Sequence, residues 1–175
     1  MKKGVLVSVF LIFICSCEAE NIDEESFTGE TFIEDLGPGE YLYLSLNGEK
    51  HEIVDSVNLS AQVQTNQDSA VISFVMNGEL PPENELIFNL VVCFYDGPGI
   101  YYTGTGDDLS GSILNLQGYE WFCNRTTRDP GIVMIKKADE EYIEGSFKIR
   151  GFNPELKNYV LQKGDFRVKW EKFTN

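Results

Sequence analysis

Few side chains in this sequence suit bond-making chemistry, and their spacing limits what they could do. His51 is the only histidine. A His-rich zinc site is therefore excluded, and a Ser-His-Asp triad would have to be built around this one imidazole. No serine sits in a nucleophile-elbow pattern. His51 follows the turn pair Asn47-Gly48, which predicts a solvent-facing strand residue in place of a catalytic base. The 28 acidic side chains are so many that a glycosidase-like carboxylate pair could be imagined anywhere, and their presence is uninformative. Asp107-Asp108, between Gly106 and Ser110-Gly111, offers hard oxygen ligands of the kind calcium takes, but lacks the ligand spacing of a calcium loop. An acidic turn is the plainer expectation there. The residues thus assign no catalytic group, no metal and no cofactor.

Aromatic side chains point instead to binding. Tyr101-Tyr102 and Tyr119-Glu120-Trp121-Phe122 flank the glycine-rich middle of the chain. Tyr and Trp present flat, amphipathic surfaces that stack on sugars or fill an interface pocket. In an alternating strand, one of each adjacent pair faces the core. Tyr101, Tyr102, Tyr119 and Trp121 are the candidate binding aromatics.

The remaining reactive residues are four cysteines. Lys2 and Lys3 precede an apolar run from Val5 to Ile14, then Cys15, Ser16 and Cys17, the layout of an export signal with a small-residue cleavage point. The run is shorter than the roughly 18 to 20 residues that cross a bilayer as a helix. Ile14-Cys15-Ser16-Cys17 resembles the lipobox, in which the last cysteine is lipidated after cleavage before it. Cys17 is the expected lipid carrier, since Phe13 and Ile14 leave no small residue ahead of Cys15. More than one acyl chain makes such an anchor stable, at about 0.8 kcal/mol per buried methylene. Cys93 and Cys123 remain, and in an oxidising compartment a disulfide between them is open, with burial as separate thiols the alternative.

Charge bears on partners. Removal of residues 1–16 leaves 12 basic side chains against 28 acidic ones, which argues against nucleic acid and anionic headgroups. From Glu18 to Glu120 there is one base, Lys50, against 20 acids, whereas from Trp121 onward there are 11 bases against 8 acids. The plainest expectation is that basic C-terminal strands complement acidic N-terminal ones. Residues 17–38 read as a disordered acidic tether.

The elements that must position these residues are strands. Val57, Leu59, Ala61 and Val63 alternate with polar residues, as do Phe147 and Ile149, and Phe166, Val168 and Trp170. Ala70 to Met76, Leu86 to Tyr95 and Ile132 to Ile135 are more continuously apolar and predict central strands. Asn47-Gly48, Asn77-Gly78, Asp96-Gly97-Pro98-Gly99, Ser110-Gly111, Gln117-Gly118, Asp129-Pro130-Gly131 and Lys163-Gly164 read as turns. The expectation is one all-β domain over 39–175, an antiparallel β-sandwich or partly open β-barrel of about nine to eleven strands.

The lipobox, the acidic tether, Leu46-Asn47-Gly48-Glu49-Lys50, Gly131-Ile132-Val133-Met134-Ile135-Lys136-Lys137, Tyr142-Ile143-Glu144-Gly145-Ser146-Phe147 and Gly164-Asp165-Phe166-Arg167-Val168 together resemble small all-β lipoproteins common in Bacteroidetes-type bacteria. The resemblance covers the N-terminal fifth and the last third. It implies a cell-envelope location, an outer-membrane anchor with surface exposure, and no catalytic residues. The Cys93 and Cys123 pair departs from that pattern. The expected function is an anchored binding or adhesion domain whose partner is a glycan or another envelope protein. A lipocalin-like carrier of a small apolar ligand is the alternative, and a carboxylate-based hydrolase comes third.

Overall fold

Period-2 alternation is realised as strands throughout. The computed structural model describes residues 39–54, 58–66, 71–80, 86–103, 110–123 and 131–174, and every regular element among them is a β-strand. These are β1 (Tyr41–Leu46), β2 (Glu49–Ile53), β3 (Leu59–Asn66), β4 (Val71–Glu79), β5 (Leu86–Cys93), β6 (Gly99–Thr103), β7 (Gly111–Leu116), β8 (Tyr119–Cys123), β9 (Gly131–Ala138), β10 (Tyr142–Asn153) and β11 (Asn158–Thr174). The expected lipid carrier Cys17, the tether, Asp107 and Asp108 lie outside the described residues.

The eleven strands form one sheet, in the order β2-β1-β11-β3-β4-β5-β7-β8-β10-β9-β6, and it closes because β10 also pairs with β11. The length of β11 makes this closure possible. Its one edge takes β1 against Gln162–Arg167 and then β3 against Trp170–Thr174, while Asn158–Lys169 pairs with β10 on the other edge. Seven strands make the ring: β11, β3, β4, β5, β7, β8 and β10. A ring with an odd number of strands cannot be antiparallel throughout, and β11–β3 is the parallel pairing. β8 meets β10 at one pair, Phe122 and Phe152, so the ring is not a regular barrel. The all-β expectation holds at its upper strand count, with this parallel contact as the departure from an antiparallel design.

Stacked aromatic rings cross the interior. Phe88 of β5 stacks on Phe147 of β10 with centroids 4.9 Å apart, and Phe74 of β4 on Phe166 of β11 at 5.9 Å. All four are essentially inaccessible to water, and each contributes roughly 1.5–3 kcal/mol by burial. One polar link also spans the core, where Ser112 Oγ donates to Oε1 of the fully buried Gln162 at 2.9 Å.

Two expected turns are strand interior instead. Asn77-Gly78 lies in β4, where Gly78 faces Leu42 so closely that a Cβ would stand 2.6 Å from Leu42 Cδ2. Gly164 lies mid-β11 opposite Phe147, whose ring covers it. Here glycine serves close approach, not turning. Asn47-Gly48 and Gln117-Gly118 do form two-residue turns, with positive φ at all four residues. This is the backbone demand of a hairpin loop between twisted strands.

Candidate binding surface

The expected aromatics divide between the two sides of their strands. On β6, Tyr101 turns inward and is half-buried against Tyr95, with ring centroids 6.0 Å apart. Its hydroxyl donates to Asp96 Oδ1 at 2.8 Å and lies 2.6 Å from the Gly97 carbonyl oxygen. Burial, with the adjoining Asp96 carboxylate adding to it, pushes this phenol up to about 12. Tyr101 therefore fixes the β5–β6 turn. Tyr102 faces out and is exposed. On β8, Trp121 is buried and Tyr119 exposed, in an edge-to-face contact at 6.3 Å. The four candidates do not form one surface: Tyr101 and Trp121 serve packing, and Tyr102 and Tyr119 stand on strands that are not neighbours.

The residues that do align are their neighbours. Because Trp121 and Cys123 face inward, Phe122 faces out. Phe122 pairs with Ile113 of β7 on one side and Phe152 of β10 on the other, and Phe152 pairs with Tyr159 of β11. Ile113, Phe122, Phe152 and Tyr159 thus form a lateral row across four strands on the outer surface. Ile113 is 43% and Tyr159 50% exposed, and the Phe152 and Tyr159 rings lie 4.9 Å apart. The row continues through Asn89 of β5, Asn77 of β4 and Ser60 of β3. No residue in it is charged. One end is apolar and aromatic, and the other carries amide and hydroxyl groups able to donate and accept hydrogen bonds.

Two side-chain bonds brace the β8–β10 junction beneath the aromatic end. Trp121 Nε1 donates to Asn158 Oδ1 at 3.0 Å, and Asn153 Nδ2 donates to the Glu120 carbonyl at 2.9 Å. Asn153 Oδ1 also accepts the Leu156 amide at 2.6 Å, closing the β10–β11 turn. The inward Trp therefore positions the outward Phe.

The other candidates are placed as follows. His51 is not solvent-facing: it lies on the inner side of β2 opposite Leu44, with Nε2 buried and unbonded among the described residues and 4.0 Å from Glu49 Oε1. Its side chain is 15% exposed. The shift of phase comes from the hairpin, whose two-residue loop sets which β2 residues face the core. Cys93 and Cys123 are buried as separate thiols. Strand β7 stands between β5 and β8, and two strand spacings of about 4.8 Å exceed the roughly 7 Å Cα limit for a disulfide. Thr103 Oγ1 approaches Cys123 Sγ at 3.2 Å and accepts the Gly131 amide at 3.0 Å, so this thiol belongs to a buried polar contact. Among the described residues, no three His, Cys, Asp or Glu side chains come together as a metal site.

The buried carboxylate of the described residues is Asp165, on the outer side of β11. It meets Lys136 Nζ at 3.0 Å. The register between β9 and β10 shifts at Glu144/Gly145, pairing Ile135 and Lys137 across and leaving Lys136 as the extra residue. Such a bulge re-aims its side chain. No known protein family, curated protein or solved structure matches this chain.

Proposed function

We propose that this chain is an outer-membrane lipoprotein, anchored through Cys17, whose β domain binds a glycan or another envelope protein. The row Ile113–Phe122–Phe152–Tyr159 carries the binding half of this reading. Folding normally turns such rings inward; here Tyr159 is exposed and Phe122 and Phe152 are half-buried on the outer side, and an aromatic row left at the surface marks a contact surface more than it marks packing. Its continuation into Asn89 and Asn77 suits a ligand with both apolar faces and hydroxyl or amide groups, such as a sugar chain. The sequence around Cys17 carries the anchoring half.

The closed ring lends some support to the carrier alternative, because rings of strands can enclose ligands. The stacks Phe88–Phe147 and Phe74–Phe166 favour the binding surface instead, since they occupy the interior at that level.

Cys17→Ser tests the anchor. Loss of lipid labelling and release from membranes are expected, and persistent labelling would overturn the assignment. Affinity capture from an envelope extract tests the surface. Wild type is expected to retain a glycan or protein that the Phe152→Ala, Tyr159→Ala double variant does not.

A further inference from the structure

Charge is distributed unevenly over the outside of the ring. Along β11, Lys163, Asp165, Arg167, Lys169 and Glu171 take successive outward positions, alternating with the inward Phe166 and Val168. Across β3, β4, β5 and β7 the outward positions of the described residues hold one charge, Glu79, at the end of β4. A chain with a net charge of −14 thus presents one face that is nearly free of charge.

Amides and aliphatic groups take the place of charge there. The row already described runs Ser60, Asn77, Asn89, Ile113 and Phe122, with Asn77 directly opposite Asn89. Beside it on the same side runs a second row, Gln62, Val75 and Val91. Ser60 and Asn77 are exposed, and Gln62, Val75, Asn89 and Val91 are half-buried. Gln64 Nε2 donates to Gln62 Oε1 at 3.1 Å. That bond braces both side chains along β3 and leaves the Gln62 amine and the Gln64 oxygen to serve as donor and acceptor for a ligand.

We propose that this face binds a neutral glycan laid across the strands, an inference that rests on the outer aromatic row being the binding surface and names its ligand class. Each amide both donates and accepts hydrogen bonds, as each sugar hydroxyl does, so a row of amides matches a chain of hydroxyls. The pairs Val75–Val91 and Ile113–Phe122 lie opposite each other on neighbouring strands and offer flat apolar patches to the C–H faces of sugar rings. Charge excludes the other polymers. An anionic chain would find no base in either row and would meet the negative field of the whole molecule. A cationic one would find no acid in the two rows, because Glu79, Glu120 and Glu171 stand at their margins, and a charge covered without a partner is costly. A protein partner is met mainly through aromatic, Met and Arg side chains. The outward positions from β3 to β8 hold no Met, Arg or Trp among the described residues. From Ser60 to Phe122 the row crosses four strand spacings, about 19 Å at roughly 4.8 Å each. That length takes several sugar units in line and is too long for one.

Binding of the full chain to isolated envelopes, pretreated with periodate to cleave sugar diols or with protease to digest proteins, tests the proposal. Periodate is expected to abolish saturable binding, and protease to leave it intact. Affinity should change by less than about twofold between about 0.01 M and about 1 M salt, since no ion pair is there to be screened. Asn77→Ala, Asn89→Ala should bind about tenfold more weakly through lost hydrogen bonds, with folding checked by circular dichroism. Gln62→Ala, Gln64→Ala on β3 is a second variant expected to weaken binding in the same direction. Binding that survives periodate and is lost to protease would overturn the glycan in favour of a protein. A steep fall with salt would overturn its neutrality, and wild-type affinity in both folded amide variants would overturn the face. In each of these cases the aromatic row still stands as the binding surface if Phe122→Ala, Tyr159→Ala loses the binding. Wild-type binding by that folded aromatic variant would overturn the row itself and this inference with it.

Discussion

Phe122 stands opposite Phe152 at the one pairing, among the described residues, that joins β8 to β10. The ring closes there on little backbone, so the side-chain bonds beneath it matter. Asn158→Ala removes the acceptor of the Trp121 indole. A loss of about 1 kcal/mol is expected, read as an earlier denaturant midpoint by tryptophan fluorescence. An unchanged midpoint would show that the indole finds water instead.

Gly145-Ser146-Phe147 and Gly164-Asp165-Phe166 pair antiparallel, so each Phe faces the other strand's glycine. A Cβ at Gly164 would meet the Tyr43 carbonyl and stand 2.6 Å from Phe147 Cζ. Gly164→Ala is expected to cost about 2–3 kcal/mol through overpacking. Gly39→Ala, with nothing within 4 Å, serves as the neutral control. Thermal melts check this, with a drop of several degrees for the first and none for the second.

Lys136 and Asp165 form a pair of unequal exposure, 44% against 2%. Lys136→Met strands a buried carboxylate without this cation and is expected to destabilise by about 2 kcal/mol, less than a fully buried pair because the amine is half in water. Adding Asp165→Asn should restore most of the loss. A double-mutant cycle in urea measures the coupling, and simple additivity would mean the pair contributes nothing.

Two phenols set the alkaline limit. Burial pushes Tyr41 up to about 12, with Glu144 and Asp165 nearby adding to it, and Tyr101 likewise to about 12. The fold favours their neutral forms, so the stability they contribute is complete below the unfolded value near 10 and is lost as pH climbs toward 12. Ultraviolet titration should show these two ionising late, together with loss of the fold. All eight tyrosines titrating in one step near 10 with the strands intact would contradict this.

How far the sequence discloses the molecule can be judged from its dipeptides and its alternation. Asn47-Gly48 is legible because a hairpin loop is a local demand. Asn77-Gly78 and Lys163-Gly164 look the same in sequence but lie inside strands, since their glycines make room for Leu42 and Phe147, residues remote along the chain. The alternation of Tyr119-Glu120-Trp121-Phe122 shows that Trp121 and Phe122 point opposite ways. Which of them faces out, and that Phe152 and Tyr159 continue the row, depends on lateral register between distant strands. The Cys93 and Cys123 relation is of the same kind, because an intervening strand is invisible to spacing.

The central claim, that the row Ile113–Phe122–Phe152–Tyr159 is the binding surface, is tested most directly by titrating the purified chain onto isolated envelopes. Wild type is compared with Phe122→Ala, Tyr159→Ala and with Lys50→Ala on another face. The double variant is expected to bind at least about tenfold more weakly, a loss near 1.4 kcal/mol, while its melting temperature stays within a few degrees and Lys50→Ala binds as wild type. Equal binding by the folded double variant, or no saturable binding by wild type, would contradict it.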